Sequence, residues 1–169
     1  MEIDFDSQTN QGILSYLRRS QSEDEPSGVP GYTRSTSPDD VDDPYMNLGT
    51  HPDLVQRLWD EVPVLLPERC AWVVYGSPVL AHPSSGIIFA FAGGTHAYAL
   101  RLPPNAYAEA ISGGAERVHH YPACPELDID ASTFDLSAVG EGWVFGRWLS
   151  GEEAWCLAAY HHAHYAHIA

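Results

Sequence analysis

The chain has 169 residues, 44% of them apolar, and carries 23 acidic side chains against 8 basic ones, a formal charge of −15. That length suits one domain with an added arm. The charge disfavours nucleic acid and anionic membrane as partners, because both are bound by clustered Lys and Arg, and here the only adjacent basic pair is Arg18-Arg19.

No apolar stretch reaches the ~18 residues of a membrane span. The opening MEIDFD is acidic where a secretory leader would be basic. Three cysteines, Cys70, Cys124 and Cys156, stand far apart without a C-x-x-C pair. Such spacing argues against a disulfide framework and leads to the expectation of a reducing, cytoplasmic setting.

In chain order, the first expected element is a short helix near residues 8–19, with Ile13, Leu14 and Leu17 on one face. A helix of that length is marginal alone and must dock on the domain or on a partner. From Ser20 to Asn47 the chain is rich in Ser, Pro, Gly and Asp, with Val29 and Val41 as its only aliphatic residues. Such a stretch buries too little surface to offset the entropy of ordering. Residues 1–49 are therefore expected to form a flexible acidic N-terminal arm, and residues 50–169 a single α+β globular domain. The acidity is not confined to the arm: through residue 50 there are 10 acids and 3 bases, and beyond it 13 and 5.

The domain is expected to start with a helix. Thr50 can cap it, Pro52 suits its first turn, and Asp53 favours its positive end. Leu54, Val55, Leu58, Trp59 and Val62 recur at helical spacing, and Pro63 stops the run. A β-meander follows over Ala71–Leu102. Trp72–Tyr75 and Val79–Ala81 are short strands, the latter ended by the His82–Gly86 loop. Then GIIFAFA and THAYALRL flank Gly93-Gly94, which has the chemistry of a two-residue hairpin turn. That turn pairs Ala92 with Thr95, Phe91 with His96 and Phe89 with Tyr98. Strict alternation then puts Ile87, Phe89, Phe91, His96, Tyr98 and Leu100 on a bulky face, and Ile88, Ala90, Ala92, Ala97 and Ala99 on a small one.

A short helix is expected over Pro104–Ser112, stopped by Gly113-Gly114, then strands near Glu116–Tyr121 and Trp143–Leu149. Ser150-Gly151-Glu152-Glu153 reads as a capping box for a last helix running to about His167. Its small stripe of Trp155, Ala159, Ala163 and Ala166 suits close approach to the alanine face of the hairpin. The expected fold is thus an α+β domain. An antiparallel β-meander of about 4–5 strands packs against an N-terminal and a C-terminal helix, behind a flexible acidic arm.

Chemistry is harder to find. His161, His164 and His167 are spaced by three, whereas helical metal pairs sit at i, i+4; they are the weak candidates for a metal. His119-His120 with Cys124 lacks a second ligand half. Tyr75-Gly76-Ser77-Pro78 is not a nucleophile elbow. No phosphate or dinucleotide loop exists, so no cofactor is expected, and no catalytic residue is assigned. The reading that remains is a non-enzymatic acidic protein that binds a basic protein partner, of the kind that an inhibitor or immunity protein uses to cover a basic site on a toxin. Its oligomeric state is open. The alternative is a small metal-binding protein or hydrolase using the C-terminal histidines. Expected partner-binding residues are Tyr32 and Tyr45, the acids Asp39, Asp40, Asp42 and Asp43, the rim groups His82, His96 and Arg101, and the loop acids Glu126, Asp128 and Asp130.

Overall fold

The computed structural model describes residues 2–20, 35–48, 50–93, 97–117, 141–146 and 151–165. Helix α1 spans Gln8–Ser20; strand β1 is Ser35–Thr36 and α2 is the single turn Pro44–Asn47. Helix α3, Pro52–Gln56, continues through a wide π turn at Arg57–Glu61 into a 3-10 turn at Val62–Leu65. The meander follows as β2 (Ala71–Val74), β3 (Ser77–Ala81), β4 (Ile88–Gly93) and β5 (Ala97–Arg101). Helix α4 is Pro104–Ser112, β6 is Glu116–Arg117, β7 is Trp143–Gly146 and α5 is Glu152–Tyr165.

The protein is α+β. Among the described residues the strands form one antiparallel sheet of seven in the order β1-β2-β3-β4-β5-β7-β6. The two strands beyond the expected number are the two-residue pieces β1 and β6, one at each edge. Short edges of this kind leave little open ladder for another chain to pair with.

Helices cover both faces of this sheet, which explains why β4 is buried from Ile88 to Ala92 and reads as a continuous apolar run. On one face, Leu54, Val55, Leu58 and Val62 meet Phe89, Ala90, Ala92, Tyr98 and Leu100, together with Cys156, Ala159 and Ala163 of α5. On the other, Ile13, Leu14 and Leu17 of α1 meet Val79, Ile88, Phe91, Ala99, Trp143 and Phe145. Tyr16 lies over Phe91, and Phe91 over Trp143, at ring separations of 5.4 and 5.3 Å. The helix that was expected to need a docking site therefore has one on the sheet. Position 50 does not divide an arm from a domain: Ile3, Ile13, Leu14, Leu17, Val41 and Leu48 are all buried in the same two cores. The expected arm is corrected to that extent; its residues 21–34 lie outside the described residues.

The hairpin register also differs from expectation. Gly93 pairs with Ala97, Ala92 with Tyr98 and Phe91 with Ala99, leaving residues 94–96 as the connection. A second departure lies between β3 and β4. Leu80 pairs with Ala90 but Ala81 pairs with Ile88, so Phe89 is an extra residue. This β-bulge interrupts the period of two. Ile87, Phe89, Ala90 and Ala92 thereby share the α5 face, while Ile88 and Phe91 share the α1 face. The expected bulky and small faces are corrected accordingly. Ala90, Ala92, Ala159 and Ala163 do lie in one core, as the small stripes suggested; Ala166 is outside the described residues.

Candidate functional site

The His82–Gly86 loop fastens both helical layers to the sheet. It closes on itself, the Gly86 N–H donating to the His82 carbonyl at 2.8 Å and the His82 N–H to the Ile87 carbonyl at 3.0 Å. The Nδ1 of His82 accepts from the Ser84 and Ser85 N–H groups at 3.1 and 3.4 Å, so this nitrogen carries no proton. Toward α5, the Ser85 hydroxyl donates to the Ala163 carbonyl at 3.0 Å. The His82 ring lies 4.6 Å from that of Tyr160 and 4.7 Å from that of His164.

Toward the N-terminal segment, the Gly86 carbonyl accepts from the Asp4 N–H at 3.1 Å and from Asn10 Nδ2 at 2.9 Å. The same Asn10 amide donates to the Asp4 carbonyl at 2.7 Å and accepts from the Ile88 N–H at 3.0 Å. Asn10 is fully buried and uses both donors and its acceptor. Gly86 has φ of +70°, and a Cβ there would come within 2.6 Å of the Asp4 nitrogen and the Glu2 oxygen. Only glycine lets the N-terminal segment pass this closely.

His82 is 2% exposed. The expectation of a rim imidazole open to a partner is corrected: the ring is part of the packing. Arg101, by contrast, is half-buried at the end of β5, and the Nη1 of its guanidinium is buried without a hydrogen-bond partner among the described residues. Burial lowers the proton affinity of Arg101. His162 of α5 is held below its ordinary pKa by burial and by the charge of Arg101.

The histidines of α5 do not converge. His161 is exposed, His162 is half-buried and His164 lies against His82. Among the described residues no group of three or more His, Cys, Asp or Glu is placed to hold a metal ion. His167, the third of the metal candidates, lies outside the described residues. The thiols of Cys70 and Cys156 are buried, and burial pushes both up, Cys70 to about 12. Neither has the thiolate character of a nucleophile.

The acids form a different kind of surface. Asp39, Asp40, Asp42 and Asp43 are all exposed. Asp39 meets Arg69 at 3.1 Å, both side chains mostly in water, a contact worth little. Tyr45 is not a free hook: its hydroxyl donates to Asp60 at 2.8 Å and its ring sits edge-on to Trp59 at 5.8 Å. Burial and the Asp60 bond push its phenol up to about 12. What the sequence did not single out is apolar. Met46, beside Tyr45, is 64% exposed, and Val64 and Leu65, just beyond Asp60 and Glu61, are 66% and 53% exposed. For Val64 and Leu65 the reason is the 3-10 turn Val62–Leu65, which takes this end off the stripe set by Leu54, Leu58 and Val62. Tyr32, His96, Glu126, Asp128 and Asp130 lie outside the described residues.

No helix among the described residues is long and apolar enough to cross a membrane. Comparison of the chain with protein-family models, with curated proteins and with solved structures finds no match.

Proposed function

We propose that this protein is a non-enzymatic binding protein that covers a basic site on a protein partner, as an inhibitor or immunity-type protein does, through the surface of residues 39–65. The observation that carries this reading is the mixture found there. Exposed Asp39, Asp40, Asp42, Asp43, Asp60 and Glu61 stand along the same stretch of chain as exposed Met46, Val64 and Leu65. Large apolar side chains with a charged rim have the anatomy of a protein interface. The net charge of −15 adds a field that speeds encounter with a basic surface.

The test is capture of partners at low salt by the full chain, run beside a variant carrying Asp39→Asn, Asp40→Asn, Asp42→Asn and Asp43→Asn, and beside Leu65→Ser. The reading requires a basic protein that binds in defined stoichiometry. Its association must slow roughly tenfold or more as salt is raised to physiological strength, the four-fold Asn variant must lose that salt dependence, and Leu65→Ser must dissociate faster. A chain that captures no protein with these dependences is not a binder of this type.

A further inference from the structure

Two histidines in this chain precede a proline, and both use the same ring nitrogen in the same way. In His51-Pro52-Asp53 the Nδ1 of His51 accepts from the Asp53 N–H at 3.1 Å. In His82-Pro83-Ser84 the Nδ1 of His82 accepts from the Ser84 N–H at 3.1 Å and from the Ser85 N–H at 3.4 Å. Each ring imitates the turn that an Asn or Asp side chain makes with the backbone two residues on. Their surroundings differ. The His51 side chain is 48% exposed, with the Asp53 carboxylate 3.9 Å from its Nδ1, so water and a counter-charge meet a proton there. His82 is 2% exposed. From α5, the Tyr160 and His164 rings face it at 4.6 and 4.7 Å. Behind Tyr160, on the segment before β2, stand Glu68, which accepts from the Tyr160 hydroxyl, and Cys70. The phenol and the thiol are both pushed up to about 12, so neither changes charge in acid. The N-terminal segment brings Asp4 to Gly86, and the Asp4 carboxylate accepts from the Asp6 and Ser7 N–H groups at 3.0 Å. Across the loop stands Ile87, which carries no charge.

A proton added at the His82 Nδ1 removes the acceptor and sets a third N–H against those of Ser84 and Ser85. It also places a charge out of water, and two imidazoles at 4.7 Å repel once both are charged. The turn held by this nitrogen is what carries Ser85 to α5, where its hydroxyl donates to the Ala163 carbonyl in the last turn of the helix. Carbonyls at a helix end have no partner from the helix itself. We propose that His82 is an acid-operated latch: with Nδ1 free of a proton it holds the Ser84-Ser85 turn and, through Ser85, the C-terminal end of α5; protonated at Nδ1, it lets that end go. The α1 layer stays in place, because Asn10 binds the Gly86 carbonyl and the Ile88 N–H without using Ser84 or Ser85. The latch stands apart from the acidic surface of residues 39–65 and is kept or overturned independently of it.

The experiment uses the full chain at constant ionic strength, taken from about pH 7.5 down to about 5.5, a window that spans the ordinary imidazole value of about 6.5. The readouts are the NMR signals of the His82 ring and the hydrogen-exchange protection of individual amides, corrected for the intrinsic exchange rate. One imidazole that is neutral when latched and charged when released makes the released form up to roughly tenfold more populated per pH unit below that value. Protection at Ser84, Ser85 and the end of α5 is therefore expected to fall roughly tenfold in acid, while the Ile88 amide, held by Asn10, keeps its protection. His82→Asn keeps an acceptor for the Ser84 N–H but takes up no proton; it is expected to hold its protection across the window. His51→Asn is expected to leave the native pH dependence unchanged. Ser85→Ala cuts the tie to Ala163 with His82 in place, and is expected to loosen the end of α5 at pH 7.5 as acid does in the native chain. The latch is overturned if His82→Asn keeps the native pH dependence, if the ring gains its proton with Ser84 and Ser85 still protected, or if α1 opens together with α5. Should His82→Asn fail to fold, the ring and amide signals of the native chain decide by themselves.

Discussion

The two helical layers are held in place by different chemistry. On the α5 face, beside the neutral bond from the Ser85 hydroxyl to the Ala163 carbonyl, Arg57 Nη2 of the π turn meets the fully buried Glu152 of α5 at 2.8 Å, and the Tyr160 hydroxyl donates to Glu68 at 2.5 Å. On the α1 face the attachment is neutral: one buried amide, Asn10, shared among Asp4, Gly86 and Ile88. Charged contacts respond to pH and demand exact partners, whereas an amide clamp does not titrate. The α5 layer is therefore the one whose attachment can be tuned by conditions, and the α1 layer the one fixed by shape.

The sharpest way to break this contrast is at Glu152. Glu152→Ala leaves Arg57 without its buried counter-charge and is expected to cost about 3–5 kcal/mol in denaturant unfolding. The paired change Arg57→Met with Glu152→Leu should recover most of that loss, because it removes both charges and keeps their volume. A double variant as unstable as the single one would show that the pair does more than compensate itself.

Next in size is Gly86→Ala. A methyl 2.6 Å from two backbone atoms, on a residue at φ +70°, is expected to cost about 2–3 kcal/mol. It should detach the N-terminal segment, so that hydrogen exchange rises in α1 before α5. Asn10→Ala follows at about 2 kcal/mol, since it leaves the Ile88 N–H and part of the Gly86 carbonyl unsatisfied in the interior. Asn10→Asp should do at least as much harm, because its carboxylate cannot donate to the Gly86 carbonyl. A neutral outcome for both would remove the amide clamp from this picture.

The smallest effect separates the faces by pH. Tyr160 is pushed up to about 12 by its bond to Glu68 and then by burial, Tyr45 to about 12 by burial and then Asp60, and Cys70 to about 12 by burial. Each pKa lies above its unfolded value, so each group's stabilisation is complete below that unfolded value, near 9 for the thiol and 10 for the phenols. It is lost as pH rises from there toward 12. All three groups lie against the α5-face core. Alkaline titration followed by tyrosinate absorbance and hydrogen exchange should therefore loosen α5 before α1, and Tyr160→Phe should blunt the effect.

Most of the architecture was readable from local chemistry. Pro104 and Gly113 bound α4 where the residue types place them, and β2, β3, β4, β5 and β7 coincide with apolar runs between turn residues. What escaped was long-range. Nothing local says that Ile13, Leu14 and Leu17 belong under Phe91, or that Glu152, which looks like a capping residue, reaches a partner 95 positions away. His51 rather than Thr50 supplies the side chain that caps α3, its Nδ1 accepting from the Asp53 N–H. For the candidate surfaces, charge was legible from composition, but the exposure of Val64 and Leu65 depends on how the chain turns after Pro63. That the Arg101 Nη1 meets no partner among the described residues depends on its neighbours in the fold, which spacing along the chain cannot report.

The bulge at Phe89 gives β4 one residue more than the ladder requires, and so makes its length tolerant in one place only. Deleting Phe89 would leave Ile87, Ala90 and Ala92 toward α5 and Ile88 and Phe91 toward α1, with Leu80 and Ala81 now facing consecutive residues. Deleting Ala90 has the same outcome, with Phe89 taking its place opposite Leu80, whereas deleting Ile88 leaves Ile87, Phe89 and Ala90 as three consecutive residues that the pleat cannot keep on one face. Within an otherwise unforgiving strand, change in chain length is thus confined to the two residues of the bulge.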